Sequence, residues 1–122
     1  MRTGRNPLVT MAWLQGIYFF VTGVWPILHI ASFVAVTGPK VDLWLVKTVG
    51  ALIAVIGATL MLGARRRTVG AELAFLAVAS AASLGIVDAV YALSDRIWDV
   101  YLLDAVAEAG LIVLWVIAWR RA

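Results

Sequence analysis

The chain lacks cysteine altogether and has one histidine, His29, among its 122 residues. The absence of cysteine excludes disulfide bonds, thiolate nucleophiles and thiolate metal sites. A single histidine also cannot supply both axial ligands of a haem within one chain. No spacing typical of a metal site, a phosphate-binding loop or a serine nucleophile is found, so the sequence identifies neither a cofactor nor an enzymatic reaction.

Charged residues are also scarce, since they make up 14% of the chain, compared with about 25% of an average soluble domain. Hydrophobic residues make up 64%, and a small soluble domain cannot bury so much apolar surface. The lipid bilayer is therefore the expected environment. The sequence pI of about 9.8 does not indicate nucleic acid as a partner, because the basic residues lie at the ends of apolar segments.

Four apolar segments are long enough to cross about 30 Å of hydrocarbon as helices. They predict an all-α fold, a transmembrane four-helix bundle in a single membrane domain over residues 1–122, with spans at about 8–30, 43–63, 69–93 and 100–119. Pro26 predicts that the first helix kinks or ends near His29, with residues 30–36 bent away or lying at the interface.

Lysine and arginine are distributed unevenly between the two sides of this bundle. One side carries seven: Arg2, Arg5, Arg65, Arg66, Arg67, Arg120 and Arg121. The other side carries three: Lys40, Lys47 and Arg96. The positive-inside rule assigns the first side to the cytoplasm. The sequence therefore predicts a multi-pass protein of the plasma membrane with both termini cytoplasmic.

Each predicted helix carries its polar and small side chains on one face, because residues three and four apart lie on the same side of a helix. Small residues allow helix backbones to approach closely. The second and third spans have several on one face and are predicted to form the most tightly packed pair. The residues concerned are Gly50, Ala54 and Ala58 in the second span and Ala77, Ala81 and Gly85 in the third.

Five ionisable groups fall in the outer half of the bundle, on helix faces that can converge. They are His29, Lys47, Asp88, Asp104 and Glu108. We predict that they bind an ion, a proton or another small ligand, because intramembrane ionisable groups are costly, at about 2.5 to 3.5 kcal/mol each on insertion scales, and usually mark a function. Four aromatic side chains are predicted to line the pocket: Tyr18, Trp25, Tyr91 and Tyr101.

The charges of these groups do not balance. If all three carboxyls ionise, Lys47 neutralises one of them and two negative charges remain. Either a carboxyl or His29 is then protonated, or a cation or basic ligand completes the balance. A purely structural alternative is an internal salt-bridge network. In that network Lys47 pairs with Asp88 or Asp104. His29 pairs with Glu108.

Three segments carry a resemblance that extends over most of the chain: QGIY at 15–18, VTGPK at 36–40 and DLWLVKTVG at 42–50. By these segments the chain resembles a group of small bacterial four-helix integral membrane proteins that have no assigned activity. The resemblance implies a bacterial inner-membrane setting and no particular functional residue.

Three functions fit this pattern. The first is a small transporter or ion- and proton-handling protein, for which a homo-oligomer is expected because one four-helix chain is small for alternating access. The second is a binder of, or acid–base enzyme for, a lipid, isoprenoid or quinone-type molecule. The third is a structural accessory subunit of a larger membrane complex. The sequence favours binding or transport slightly over catalysis.

Overall fold

The computed structural model describes residues 6–122, and this part of the chain forms five α-helices and no strand. They are α1 (Pro7–Leu28), α2 (Ile30–Thr37), α3 (Leu43–Arg65), α4 (Ala71–Leu93) and α5 (Val100–Arg121). All except α2 are long and apolar enough to cross a membrane. The prediction of an all-α fold with four membrane-spanning helices is therefore confirmed. Arg2 and Arg5, which contribute to the predicted orientation, lie outside the described residues.

The apolar stretch over residues 8–36 forms two helices that are separated at His29. Helix α1 begins with the side chain of Asn6 accepting a hydrogen bond from the backbone N–H of Leu8 at 2.9 Å. It continues past Pro26 and ends at Leu28, because His29 leaves the helical conformation (φ −149°, ψ 77°). The same histidine begins α2, since its Nδ1 accepts from the backbone N–H of Ser32 at 3.2 Å.

Helix α1 is the centre of the bundle, because within residues 6–122 it alone contacts all four other helices. Its most extensive contact is with α3, and α4 packs mainly against α5. Helices α3 and α5 do not contact one another in the described chain. The bundle therefore consists of two helix pairs, α1–α3 and α4–α5, that are joined mainly through α1.

Glycines bring the backbones of α1 and α3 into contact. A β-carbon at Gly23 would lie 2.4 Å from the carbonyl oxygen of Gly50, and one at Gly57 would lie 2.6 Å from that of Gly16. These distances leave no room for a side chain. The two contacts are seven residues apart on each helix, which places them on the same side of an antiparallel pair.

The prediction that the second and third spans form the tightly packed pair is wrong. Helices α3 and α4 share only a small contact, near Gly63 and Leu73 beside the turn that connects them. The small residues of α3 instead face α1. Those of α4 face α5 and α1, as shown by Gly85, where a β-carbon would lie 3.3 Å from the Glu108 Cβ.

The two ends of the bundle differ in composition. The end with the α2–α3 and α4–α5 connections carries Lys40 and is called the Lys40 end below. The opposite end, called the arginine end, carries Arg65, Arg66, Arg67, Arg120 and Arg121. Large apolar side chains are exposed along the helices between them, as Leu52, Phe75 and Val106 illustrate. This exposure is consistent with contact between the helices and the lipid bilayer.

The α1–α3 glycine contact predicts opposite effects for the same substitution at two places. Alanine raises helix propensity by about 1 kcal/mol relative to glycine, so Gly110→Ala, which meets no atom within 4 Å, should leave stability unchanged or increase it. Gly23→Ala should destabilise the fold by roughly 1–3 kcal/mol, because the new methyl group overpacks the helix contact. Unfolding in mixed detergent micelles measures both. Equal stability of the two variants would contradict the glycine contact.

Candidate functional site

Three carboxyl groups meet between α4 and α5, and they are called the carboxyl cluster below. Asp88 lies near the end of α4, and Asp104 and Glu108 lie one turn apart near the start of α5. Because these two helices are antiparallel and paired, the three residues fall at the same depth. The Asp104 carboxyl lies close enough to those of Asp88 and Glu108 to interact with both.

Two members of the cluster are buried and incompletely hydrogen-bonded. Glu108 is 1% exposed and Asp88 is 6% exposed, whereas Asp104 is partly exposed. Asp88 Oδ2 and Glu108 Oε1 are buried oxygens without a hydrogen-bond partner. Buried polar atoms in folded proteins are almost always paired. Two such atoms in one place therefore indicate a site whose chemistry differs from ordinary packing.

Helix α1 contributes the hydroxyl group of the site. Tyr18 donates a hydrogen bond from its Oη to Asp104 Oδ1. The backbone carbonyl of Tyr18 accepts a hydrogen bond from the Thr22 hydroxyl at 2.8 Å, one turn further along α1. A phenol on the central helix thus reaches the one cluster member that contacts both other carboxyls.

A second polar network lies on the arginine side of the cluster. Gln15 is fully buried; its Nε2 donates to the carbonyl of Ala77 at 2.9 Å and its Oε1 accepts from Trp115 Nε1 at 2.7 Å. This network links α1, α4 and α5. Beyond it the buried residues are apolar, including Leu8, Leu60 and Ala118. The cluster is therefore separated from the arginine end by an apolar layer.

His29 and Lys47 lie apart from the carboxyl cluster. His29 is exposed at the break between α1 and α2, where its Nδ1 lies 2.7 Å from the Ser32 hydroxyl. Lys47 is exposed on α3, and α1 separates that helix from α5. Neither residue forms an ion pair with a cluster carboxyl, so the structural alternative of a salt-bridge network is not formed. The predicted part of these two residues in ligand binding stays a prediction.

The four predicted pocket aromatics are dispersed. Tyr18 is the one of the four with a hydrogen bond to the carboxyl cluster. Trp25 donates its indole N–H to Ser32 at 2.9 Å and packs edge-on against Phe33. Tyr91 is 45% exposed. Tyr101 lies under the ammonium group of Lys40, with 5.2 Å from Nζ to the ring centroid.

The environment of Lys40 was not predicted from the sequence. There Lys40 was only one of the basic residues that determine the orientation in the membrane. Its Nζ donates to the Thr37 hydroxyl and the Gly38 carbonyl, both at 2.9 Å, and also lies 5.5 Å from the Phe33 ring centroid. Gly38 has a φ of +102°, a conformation that glycine adopts readily. Since Tyr101 precedes Asp104 by one turn of α5, this ammonium group lies on the Lys40-end side of the cluster.

Two clefts lie at opposite ends of the bundle, and the carboxyls of the cluster line neither of these two. One, of about 530 Å³, lies at the Lys40 end between the two loops and includes Lys40, Asp95, Arg96 and Asp99 in its lining. The other, of about 490 Å³, lies between α4 and α5 at the arginine end. Within residues 6–122, no group of three or more acidic or histidine side chains has a geometry that could hold a metal ion.

The Gln15 network predicts a stability cost for its removal. Gln15→Met keeps the side-chain volume but leaves the buried indole N–H of Trp115 unpaired, so the free energy of unfolding should fall by roughly 1–2 kcal/mol. Trp115→Phe should lower the free energy of unfolding less in the Gln15→Met variant than in the wild type, because in the variant it removes an unpaired donor. Thr59→Val is the control, since the exposed Thr59 hydroxyl bonds only the backbone of its own helix. Additive effects of the two core substitutions would contradict the network.

Comparison with known proteins provides no match for this arrangement. No family model matches the chain, and no curated protein or solved structure is significantly similar to it. The function must therefore be argued from the chemistry of the carboxyl cluster and its surroundings.

Proposed function

We propose that this chain is a small multi-pass membrane protein whose carboxyl cluster binds protons. The observation that carries this proposal is the pair of buried carboxyl groups, Asp88 and Glu108, which share Asp104 as a neighbour and each retain an oxygen without a hydrogen-bond partner. No basic side chain is paired with either group in the described chain. Protons are the simplest way to remove the excess negative charge.

Two bound protons account for the hydrogen bonding of the whole cluster. Three ionised carboxyls in one buried place repel each other and are poorly solvated. If Asp88 and Glu108 are protonated, each donates a hydrogen bond to an ionised Asp104, which also accepts one from Tyr18. Protonation also makes both buried acids neutral. An unpaired neutral carbonyl costs much less than an unpaired buried carboxylate.

The surroundings favour a proton over a larger ligand. A lipid- or quinone-type molecule needs a cavity that touches the acid–base groups, and the two clefts at the ends of the bundle are lined by other residues. A proton needs only one carboxyl oxygen. We therefore place the ligand-binding and enzymatic alternatives behind proton binding.

Access to the cluster is proposed to be from the Lys40 end. Asp104 is the partly exposed member of the cluster and lies one turn of α5 beyond Tyr101, which contacts Lys40. The apolar layer beyond Gln15 separates the cluster from the arginine end and blocks proton access from there. A single chain in this conformation is thus suited to taking up protons from one side, and transport across the membrane would require a rearrangement or a homo-oligomer.

We further propose that the Lys40 end faces away from the cytoplasm in a bacterial inner membrane, with both termini cytoplasmic. The seven-to-three distribution of lysine and arginine supports this orientation. The absence of native cysteine makes the proposal directly testable, because any introduced cysteine is the sole thiol in the chain.

Membrane-impermeant thiol reagents applied to intact spheroplasts should therefore modify Asp95→Cys and should leave Arg66→Cys unmodified until the membrane is permeabilised. Both residues are exposed and lie at the ends of helices. Modification of Arg66→Cys before permeabilisation, with protection of Asp95→Cys, would reverse the orientation.

Infrared spectroscopy of the protein in lipid tests proton binding. At neutral pH the wild type should show the C=O stretching bands of protonated carboxyls, and Asp88→Asn and Glu108→Gln should each remove one band. Glu72→Gln is the matched control, because Glu72 is exposed in the first turn of α4 and should contribute no such band. A wild-type spectrum without protonated carboxyls at neutral pH would refute the proposal.

A further inference from the structure

The cleft at the arginine end is a groove between the first half of α4 and the last half of α5. Its volume is about 490 Å³, and its walls include Ala74, Phe75 and Val78 on α4 and Trp115, Trp119 and Arg120 on α5. It opens sideways along the bundle. Because the lining is almost entirely apolar, an aliphatic chain fits it better than a polar molecule.

Trp115 forms the floor of the groove. It is 1% exposed, and its indole N–H is already bonded to Gln15 in the interior. It therefore offers no free hydrogen-bond donor to the groove, whose accessible walls are formed by its neighbours. Phe75, which is 73% exposed, and Trp119, which is 48% exposed, stand at the sides. Ala74 on the α4 wall leaves space opposite the aromatic rings.

The length of the groove matches part of one lipid leaflet. Its α4 wall extends from Ala71 to Val78, which is roughly 10 Å along a helix. A leaflet contributes about 15 Å of hydrocarbon. One acyl chain lying along α4 and α5 would thus be in contact with the groove over most of its depth.

Charge complementarity identifies the head group. Arg120 is the one charged residue in the groove lining, and Arg121 and the arginines at 65–67 lie at the same end. The acidic residue at this end of the described chain is Glu72, which is exposed and does not line the groove. Basic side chains beside an apolar groove between membrane helices are typical of anionic lipid recognition.

We propose that this groove is a binding site for an anionic phospholipid, with an acyl chain lying between Phe75 and Trp119 and the phosphate group bound by Arg120. The site is independent of the carboxyl cluster and of its protonation.

Native mass spectrometry of delipidated protein tests this site with phosphatidylglycerol and phosphatidylcholine that have identical acyl chains. We expect the wild type to retain phosphatidylglycerol in preference to phosphatidylcholine, and Arg120→Gln to reduce that preference roughly fivefold, as expected for loss of one basic side chain near a phosphate. Arg65→Gln is the matched control, because Arg65 lies at the same end outside the groove. It should retain the wild-type preference.

A second variant tests the groove itself. Ala74→Trp fills the space opposite Trp115 and should abolish retention of both lipids. Equal retention of the two lipids by the wild type would overturn the proposal, as would an equal loss in Arg120→Gln and Arg65→Gln, which would indicate diffuse electrostatic attraction. Conversion of a dimer to a monomer by Ala74→Trp would also overturn it, since a second copy of the chain would then be the occupant. If Ala74→Trp does not fold, the two arginine variants still decide the question.

Discussion

The carboxyl group of Asp104 is the one on which the carboxyl cluster of this protein depends. It accepts the hydrogen bond of Tyr18 from α1 and is the shared neighbour of Asp88 on α4 and Glu108 on α5. In hydrocarbon, polar groups must find their partners inside the protein, because no water is there to replace them. Without Asp104, one hydroxyl and two further carboxyls would each lack their main polar partner. The residue therefore joins three helices as well as three functional groups.

Helix α1 can place polar side chains beside the carboxyl cluster because its opposite face packs closely on α3. The contacts of Gly16 with Gly57 and of Gly23 with Gly50 leave no side chains between the two backbones. The remaining face of α1 then carries Gln15 and Tyr18 towards α4 and α5. The same arrangement explains why Lys47 on α3 is far from the carboxyls, since α1 lies between them. The close packing of α1 on α3 therefore determines which of its side chains face α4 and α5.

The sequence predicts the helices and their polar content better than it predicts their neighbours. Length and hydrophobicity were sufficient for the four spans, because the bilayer fixes both. Helical spacing also placed Asp88, Asp104 and Glu108 at similar depth. Small residues such as Gly50 and Ala77, however, mark a face that packs closely without specifying which helix packs there. The contact of Lys40 with the Tyr101 ring depends on how α5 packs, so no local pattern could indicate it.

Whether the carboxyl cluster holds protons can be measured directly, because the chain has few glutamates. The chain contains two glutamates, Glu72 at the arginine end and Glu108 in the cluster. Labelling glutamate with ¹³C at the side-chain carboxyl therefore gives two signals in a solid-state NMR spectrum of the protein in lipid, and Glu108→Gln assigns them. At neutral pH the exposed Glu72 should give a carboxylate signal, and Glu108 should give the signal of a protonated acid. Two carboxylate signals at neutral pH would contradict it.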